Sequence, residues 1–116
     1  MADVLFNASA LIAEFGDEAL IADLAQTLLD HAEEQLGAVH AAVASGNASA
    51  LKSAAHKIKG GMGTFTTTSV VGPATALEAI ARTGRVSGAE PLATQLDSEV
   101  RALCESARVW LASRTT

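Results

Sequence analysis

The chemistry this chain can offer is concentrated in one short stretch, Ala55-His56-Lys57-Ile58-Lys59-Gly60-Gly61-Met62-Gly63. A neutral imidazole is a competent nucleophile near neutral pH and can carry a phosphoryl group covalently. The apolar residues Leu51, Ala55, Ile58 and Met62 recur at helical spacing, so the stretch reads as a helix with these four facing a core. Lys52, His56, Lys59 and Gly63 each lie one position further on, ~100° around the helix. His56 therefore stands beside the core face with its ring toward solvent, Lys52 one turn before it and Lys59 one turn after. Gly60, at i+4, puts no side chain in the way of an approaching group. The three glycines each cost ~1 kcal/mol relative to Ala in a helix interior, a conflict between local propensity and fold that marks function.

Charge placement points the same way. From Gln35 to Leu77 there is no acidic residue, while Lys52, Lys57 and Lys59 are positive. A chain of net charge −5 thus keeps a basic patch around one histidine, suited to a phosphoryl group or an acidic partner surface. Taken singly, a histidine on a helix flank is an ordinary solvated residue, and helical glycines can serve packing alone. The combination of His, Lys at +3 and Gly at +4 and +5 carries the chemical reading. His31 and His40 have no ligand set around them, and the paired Glu-x-x-His motifs of a di-iron bundle are absent, so no metal site is expected. Asp30, Glu33 and Glu34 read as a solvated face. Cys104 is the single cysteine; it excludes an internal disulfide, reads as buried and structural, and suits a reducing compartment.

The elements that must hold this stretch are helices. Hydrophobic residues make up 49% of the 116 residues and aromatics 3%, with Ala and Leu abundant and β-branched residues scattered. Residues 8–15 suit a short first helix stopped at Gly16. A long one begins at Asp17, carries Ile21, Ala25, Leu28, Ala32, Leu36, Val39 and Val43 on one stripe, and ends at Ser45-Gly46, with Asn47 capping the next. The His56 helix follows, reaching Phe65 on its stripe. The Thr-rich run from Thr64 to Ser69 then breaks the pattern and offers capping hydroxyls. Val70, Leu77 and Ile80 mark a further helix ending near Gly84, its start blurred by Pro73. The last starts near Pro91 and carries Leu92, Leu96, Val100, Leu103, Ala107 and Trp110. The expected architecture is all-α, an antiparallel up-down four-helix bundle with a short additional N-terminal helix, forming one domain over 1–116. The acidic balance, pI about 5.0, argues against nucleic acid. No signal peptide and no ~18-residue apolar span is present, so a soluble, cytoplasmic monomer that does not bind membranes is expected.

Ala55-His56-Lys57-Ile58-Lys59-Gly60-Gly61, followed by Ala76-Leu77-Glu78, resembles the signature of the histidine-containing phosphotransfer (HPt) family. Within it, HKIKGGMGTF looks like the N-terminal phosphotransfer domain of chemotaxis histidine kinases. The resemblance implies that His56 accepts a phosphoryl group on one ring nitrogen, that Lys59 balances the phosphoryl charge, and that Gly60 leaves room for a partner's active site. Lys52, Lys57, Gly61 and Gly63 complete the expected docking face. Glu78, 22 positions after His56, matches a glutamate that accepts a hydrogen bond from the other ring nitrogen. Spacing is compatible with that: Glu78 is one step past Leu77 as His56 is one step past Ala55, so antiparallel packing could join them. An ordinary exposed glutamate is the other reading of this position. The chain departs from the family at Thr66, where many members have glycine, at Thr75, where chemotaxis-type domains often have histidine, and at Pro73.

The resulting expectation is a free-standing phosphorelay intermediate. The chain holds no Walker motif or nucleotide-binding glycine loop and no room for an ATP-binding domain, so it carries phosphate without being a kinase. Expected partners are response-regulator receiver domains and a (hybrid) histidine kinase. No cofactor is expected in the chain itself, with Mg²⁺ in the partner receiver. The competing readings are a substrate domain of a chemotaxis-type kinase and a receiver-binding module without turnover.

Overall fold

The computed structural model describes residues 6–65 and 70–114. Among them it contains five helices and no strand: α1 (Ala8–Phe15), α2 (Glu18–Ser45), α3 (Ala48–Met62), α4 (Val71–Ala81) and α5 (Ala89–Ser113). The first three begin at side-chain caps. The side-chain carbonyl of Asn7 accepts from Ala10 N–H, the Asp17 carboxylate from Ala19 and Leu20, and Asn47 from Ala50, each relieving an orphan donor of a first turn. Gly16 and Gly46 end α1 and α2 at φ of 76° and 69°, a left-handed conformation open to glycine at little cost.

The last two helices differ from expectation at their starts. The N-cap of α4 is Val70, with no side-chain cap, so a hydroxyl of the Thr-rich run does not fill that position. Thr66 to Ser69 lie outside the described residues. Pro73 falls in the first turn of α4, where its missing N–H would have had no helical partner. For the same reason α5 starts at Ala89, before Pro91, which sits in its first turn. Phe65 lies past the end of α3, in a turn where its N–H donates to the Met62 carbonyl.

Helix α2 packs on α3 and α5, and α4 packs on the same two helices. The stripes meet in one buried cluster: Ile21, Ala25, Leu36 and Val39 of α2, Leu51, Ala55, Ile58 and Met62 of α3, Leu77 of α4, and Leu96, Val100 and Leu103 of α5 are all nearly inaccessible. Alanines on the stripes let helix backbones approach closely. Helix α1 rests against α2, and Phe6 just before it lies 5.3 Å from the Phe65 ring and 5.4 Å from Trp110. Across α2 and α5, the carboxylate of Asp97 accepts from His40 (3.1 Å) and Arg101 (2.8 Å), and Arg101 also pairs with Glu33. His40 and Glu33 thus belong to an interhelical network rather than standing free in solvent. Cys104 is buried, and burial pushes its thiol pKa up, away from the reactive thiolate.

Because Leu77 is wholly inaccessible, Leu77→Ala is expected to lower the unfolding free energy by about 2–5 kcal/mol in chemical denaturation. Val109→Ala, at a position 61% exposed, is expected to change it by less than ~0.5 kcal/mol. Equal effects at the two positions would contradict the core described here.

Candidate functional site

The α3 stripe seats Leu51, Ala55, Ile58 and Met62 against the core and turns His56 outward, its side chain 71% exposed. Facing it on α4 is Glu78, whose side chain is only 3% exposed. The open reading of Glu78 as a surface residue is thereby settled: it is the buried charged group of this core. It is buried because α3 and α4 pack against each other and Glu78 follows the inaccessible Leu77 on the face turned to α3.

Both carboxylate oxygens of Glu78 have partners. Oε1 is 2.7 Å from the Lys59 ammonium, an ion-pair contact rather than a well-directed hydrogen bond. Oε2 faces His56 Nδ1 at 3.4 Å and the Arg82 guanidinium at 3.8 Å. The Lys59 ammonium holds the Glu78 pKa below its ordinary value of 4.5, assisted by His56 and opposed by burial. Glu78 is therefore a carboxylate at neutral pH, and a carboxylate only accepts. His56 Nδ1 must carry the proton of that contact, which leaves Nε2 as the nitrogen with a free lone pair. The buried side chain thereby sets the tautomer of the exposed one.

The structure brings His56 and Glu78 together, one of the two readings the sequence left open, adds Lys59 at the same carboxylate, and leaves Lys52 and Lys57 in solvent on the same helix. Lys59 is drawn in, 30% exposed, against Glu78. Gly60 and Gly61 are exposed, and a Cβ at either would meet nothing within 4 Å. Gly61 also borders a small cleft of about 110 Å³ between α2 and α3, lined by Leu24, Leu28, His31, Met62 and Phe65 among others. Gly63 is different. It is half-buried, and a Cβ there would lie 2.6 Å from the Lys59 carbonyl oxygen, so packing alone accounts for this glycine. The residue the sequence reading missed is Arg82, one turn after Glu78 on α4; the signal available was its i,i+4 spacing from a glutamate. Among the described residues, no group of three or more His, Cys, Asp or Glu side chains is placed to hold a metal ion.

A family model for the Hpt domain matches residues 23–106, which include the whole of α3 and α4. The chain belongs to the Hpt domain family. No curated protein and no solved structure matches it. Membership makes it a histidine-phosphotransfer domain of the kind used in phosphorelays, and Hpt domains in general interact with receiver domains and kinases. The match begins within α2 and ends within α5, so α1 of this Hpt domain lies outside it.

Two predictions follow from the geometry of the Hpt domain. A carboxylate whose folded pKa is depressed contributes stability above its unfolded pKa, near 4.5 for Glu78, and loses it as pH falls through the folded value. Unfolding free energy measured between about pH 5 and 3 should accordingly fall less steeply in Glu78→Gln than in the parent. Some slope should persist, because Asp97 is depressed by Arg101 with the same sign. Gly60→Ala is expected to stabilise α3 by up to ~1 kcal/mol, whereas Gly63→Ala should destabilise by about 1–3 kcal/mol, both read in thermal melts. Similar effects of the two would remove the distinction between them.

Proposed function

We propose that this Hpt domain is a phosphorelay intermediate that accepts a phosphoryl group on His56 Nε2 and passes it to a response-regulator receiver. The donor would be the aspartyl phosphate of a receiver domain or a (hybrid) histidine kinase. The lone pair of Nε2 attacks phosphorus, and the N–P bond forms as the bond from phosphorus to the donor oxygen breaks. The donor aspartate leaves as a carboxylate. The proton on Nδ1 stays in place, and the positive charge gathered on the ring is balanced by Glu78. The observation that carries this reading is the pairing of an open imidazole with a buried carboxylate at 3.4 Å. Such a carboxylate orients the ring and fixes its tautomer.

Around that pair, Lys59 would balance phosphoryl charge, and Gly60 and Gly61 would leave the partner's active site room to close. The exposed Lys52 and Lys57 would meet an acidic rim. Mg²⁺ and most catalytic groups belong to the receiver on this reading, since phosphoryl transfer depends mainly on positioning and charge stabilisation. The ring of helix contacts supports an antiparallel up-down bundle acting as one domain. So do the pairs His40–Asp97, Glu33–Arg101 and Glu18–Arg114, in which α2 numbers fall as α5 numbers rise. No helix among the described residues is long and apolar enough to cross a membrane.

A second reading, the substrate domain of a chemotaxis-type kinase, is favoured by the His56–Glu78 contact itself, because that glutamate is the feature shared with those domains.

Incubation with a phosphorylated receiver, and separately with a kinase core and labelled ATP, is expected to yield acid-labile, base-stable label. His56→Gln should abolish it in a protein whose helical content shows that it is folded, a side-chain amide being able to donate to Glu78 in place of the ring. Label from the kinase core alone would select the second reading. Absence of label under both conditions would leave a receiver-binding module without turnover, and label persisting in His56→Gln would assign another histidine.

A further inference from the structure

A buried carboxylate left without a cation is strongly destabilising, and this requirement bears on how Lys59 can work. In the structure the Lys59 ammonium is the closest partner of Glu78, 2.7 Å from Oε1. The proposed function gives the same ammonium a second task beside the phosphoryl oxygens. Those oxygens would stand on Nε2, the ring nitrogen turned away from Glu78. An ammonium that moves out to those oxygens lengthens its contact with Oε1 and leaves a carboxylate that is 3% exposed short of a partner.

A replacement cation is already at hand. Arg82 lies one turn after Glu78 at the C-cap of α4, with Nη2 3.8 Å from Oε2, just beyond hydrogen-bonding distance. Its side chain is 61% exposed, and among the described residues Glu78 is its only ion-pair partner, so a small change of rotamer meets no competing pair. A guanidinium offers two parallel donors to a carboxylate and is always charged. Lysine, a compact point charge on a flexible stem, is the better group to turn toward phosphate. With Lys59 in place Glu78 is held as a carboxylate; once that ammonium turns away, burial favours the neutral acid, and a guanidinium closing on Oε2 is what keeps the charge covered.

We propose that Arg82 is a positioning residue that closes on Glu78 when Lys59 turns to the phosphoryl group on His56, exchanging one cation for another at the buried carboxylate. The inference rests on His56 being the phosphoacceptor. Arg82 never touches the phosphoryl group; it keeps Glu78 paired so that Lys59 is free to do so.

The test uses the full chain with phosphoramidate as a small phosphoryl donor, following phosphohistidine at His56 by NMR. Arg82→Gln should slow its accumulation about three- to tenfold, the effect of one modest ion pair, and Arg82→Lys should restore most of the rate. In a Glu78→Gln background, where no buried charge needs covering, Arg82→Gln should have no further effect. Parent-like rates in Arg82→Gln would overturn the proposal. An equal loss in both backgrounds would do so too, since it would mean that Arg82 meets the phosphoryl group directly. Should Glu78→Gln fail to fold, side-chain ¹⁵N spectra of the parent decide: on phosphorylation the Arg82 guanidinium protons should become protected from exchange as the Lys59 ammonium signal shifts. An Arg82 signal unmoved by phosphorylation would reject the exchange. Failure of the parent to form phosphohistidine at His56 would overturn the phosphoacceptor reading, and this inference with it.

Discussion

Glu78 is a full negative charge placed in the core of a small helical bundle, and its need for partners organises the face of α3 and α4 around it. With 3% of its side chain exposed, it cannot be neutralised by water. It is held instead by an ammonium from α3, an imidazole from α3 and a guanidinium from its own helix. Removing such a carboxylate's partners costs several kcal/mol, so the arrangement constrains where Lys59 and His56 can be. The exposed imidazole thus meets a group that solvent scarcely reaches.

The rest of the bundle serves this contact by being unexceptional. The stripes on α2, α3 and α5 follow the helical period closely, and small residues on them bring the helices near one another. Caps at Asn7, Asp17 and Asn47 define where the first three helices begin. Against this regular frame the departures stand out. Gly60 and Gly61 occupy open surface where alanine would favour the helix, so packing within the bundle does not account for them. Gly63, in the same run, answers a different demand, the closeness of the Lys59 carbonyl. Three glycines that look alike in the sequence thus fall into two classes.

Charge divides the molecule as well. The α3 surface bears Lys52 and Lys57 in solvent, while the α2–α5 side carries the exposed network of Glu33, His40, Asp97 and Arg101. The first leaves cations available to a negatively charged partner. The second satisfies its charges internally and braces two long helices without presenting a reactive group.

Much of this was legible in the sequence, because helical periodicity depends on local spacing. The residues facing the core, the stops at Gly16 and Gly46, and the outward position of His56 all follow from a period of 3.6. So does the basic patch, which needs only the absence of acidic residues between Gln35 and Leu77. The starts of α4 and α5 were less legible, since a proline in a first turn looks locally like a break. What spacing along one helix could not decide was anything joining two helices. Whether Glu78 lay in solvent or in the core, that Lys59 turns inward to it, and that Arg82 stands at the same carboxylate depend on the rotation of α4 against α3. That rotation is set by packing of the whole core. The sequence by itself determined which histidine is turned outward among lysines and glycines; only the tertiary structure decided which side chains stand against it, because a buried charge finds its partners across an interface.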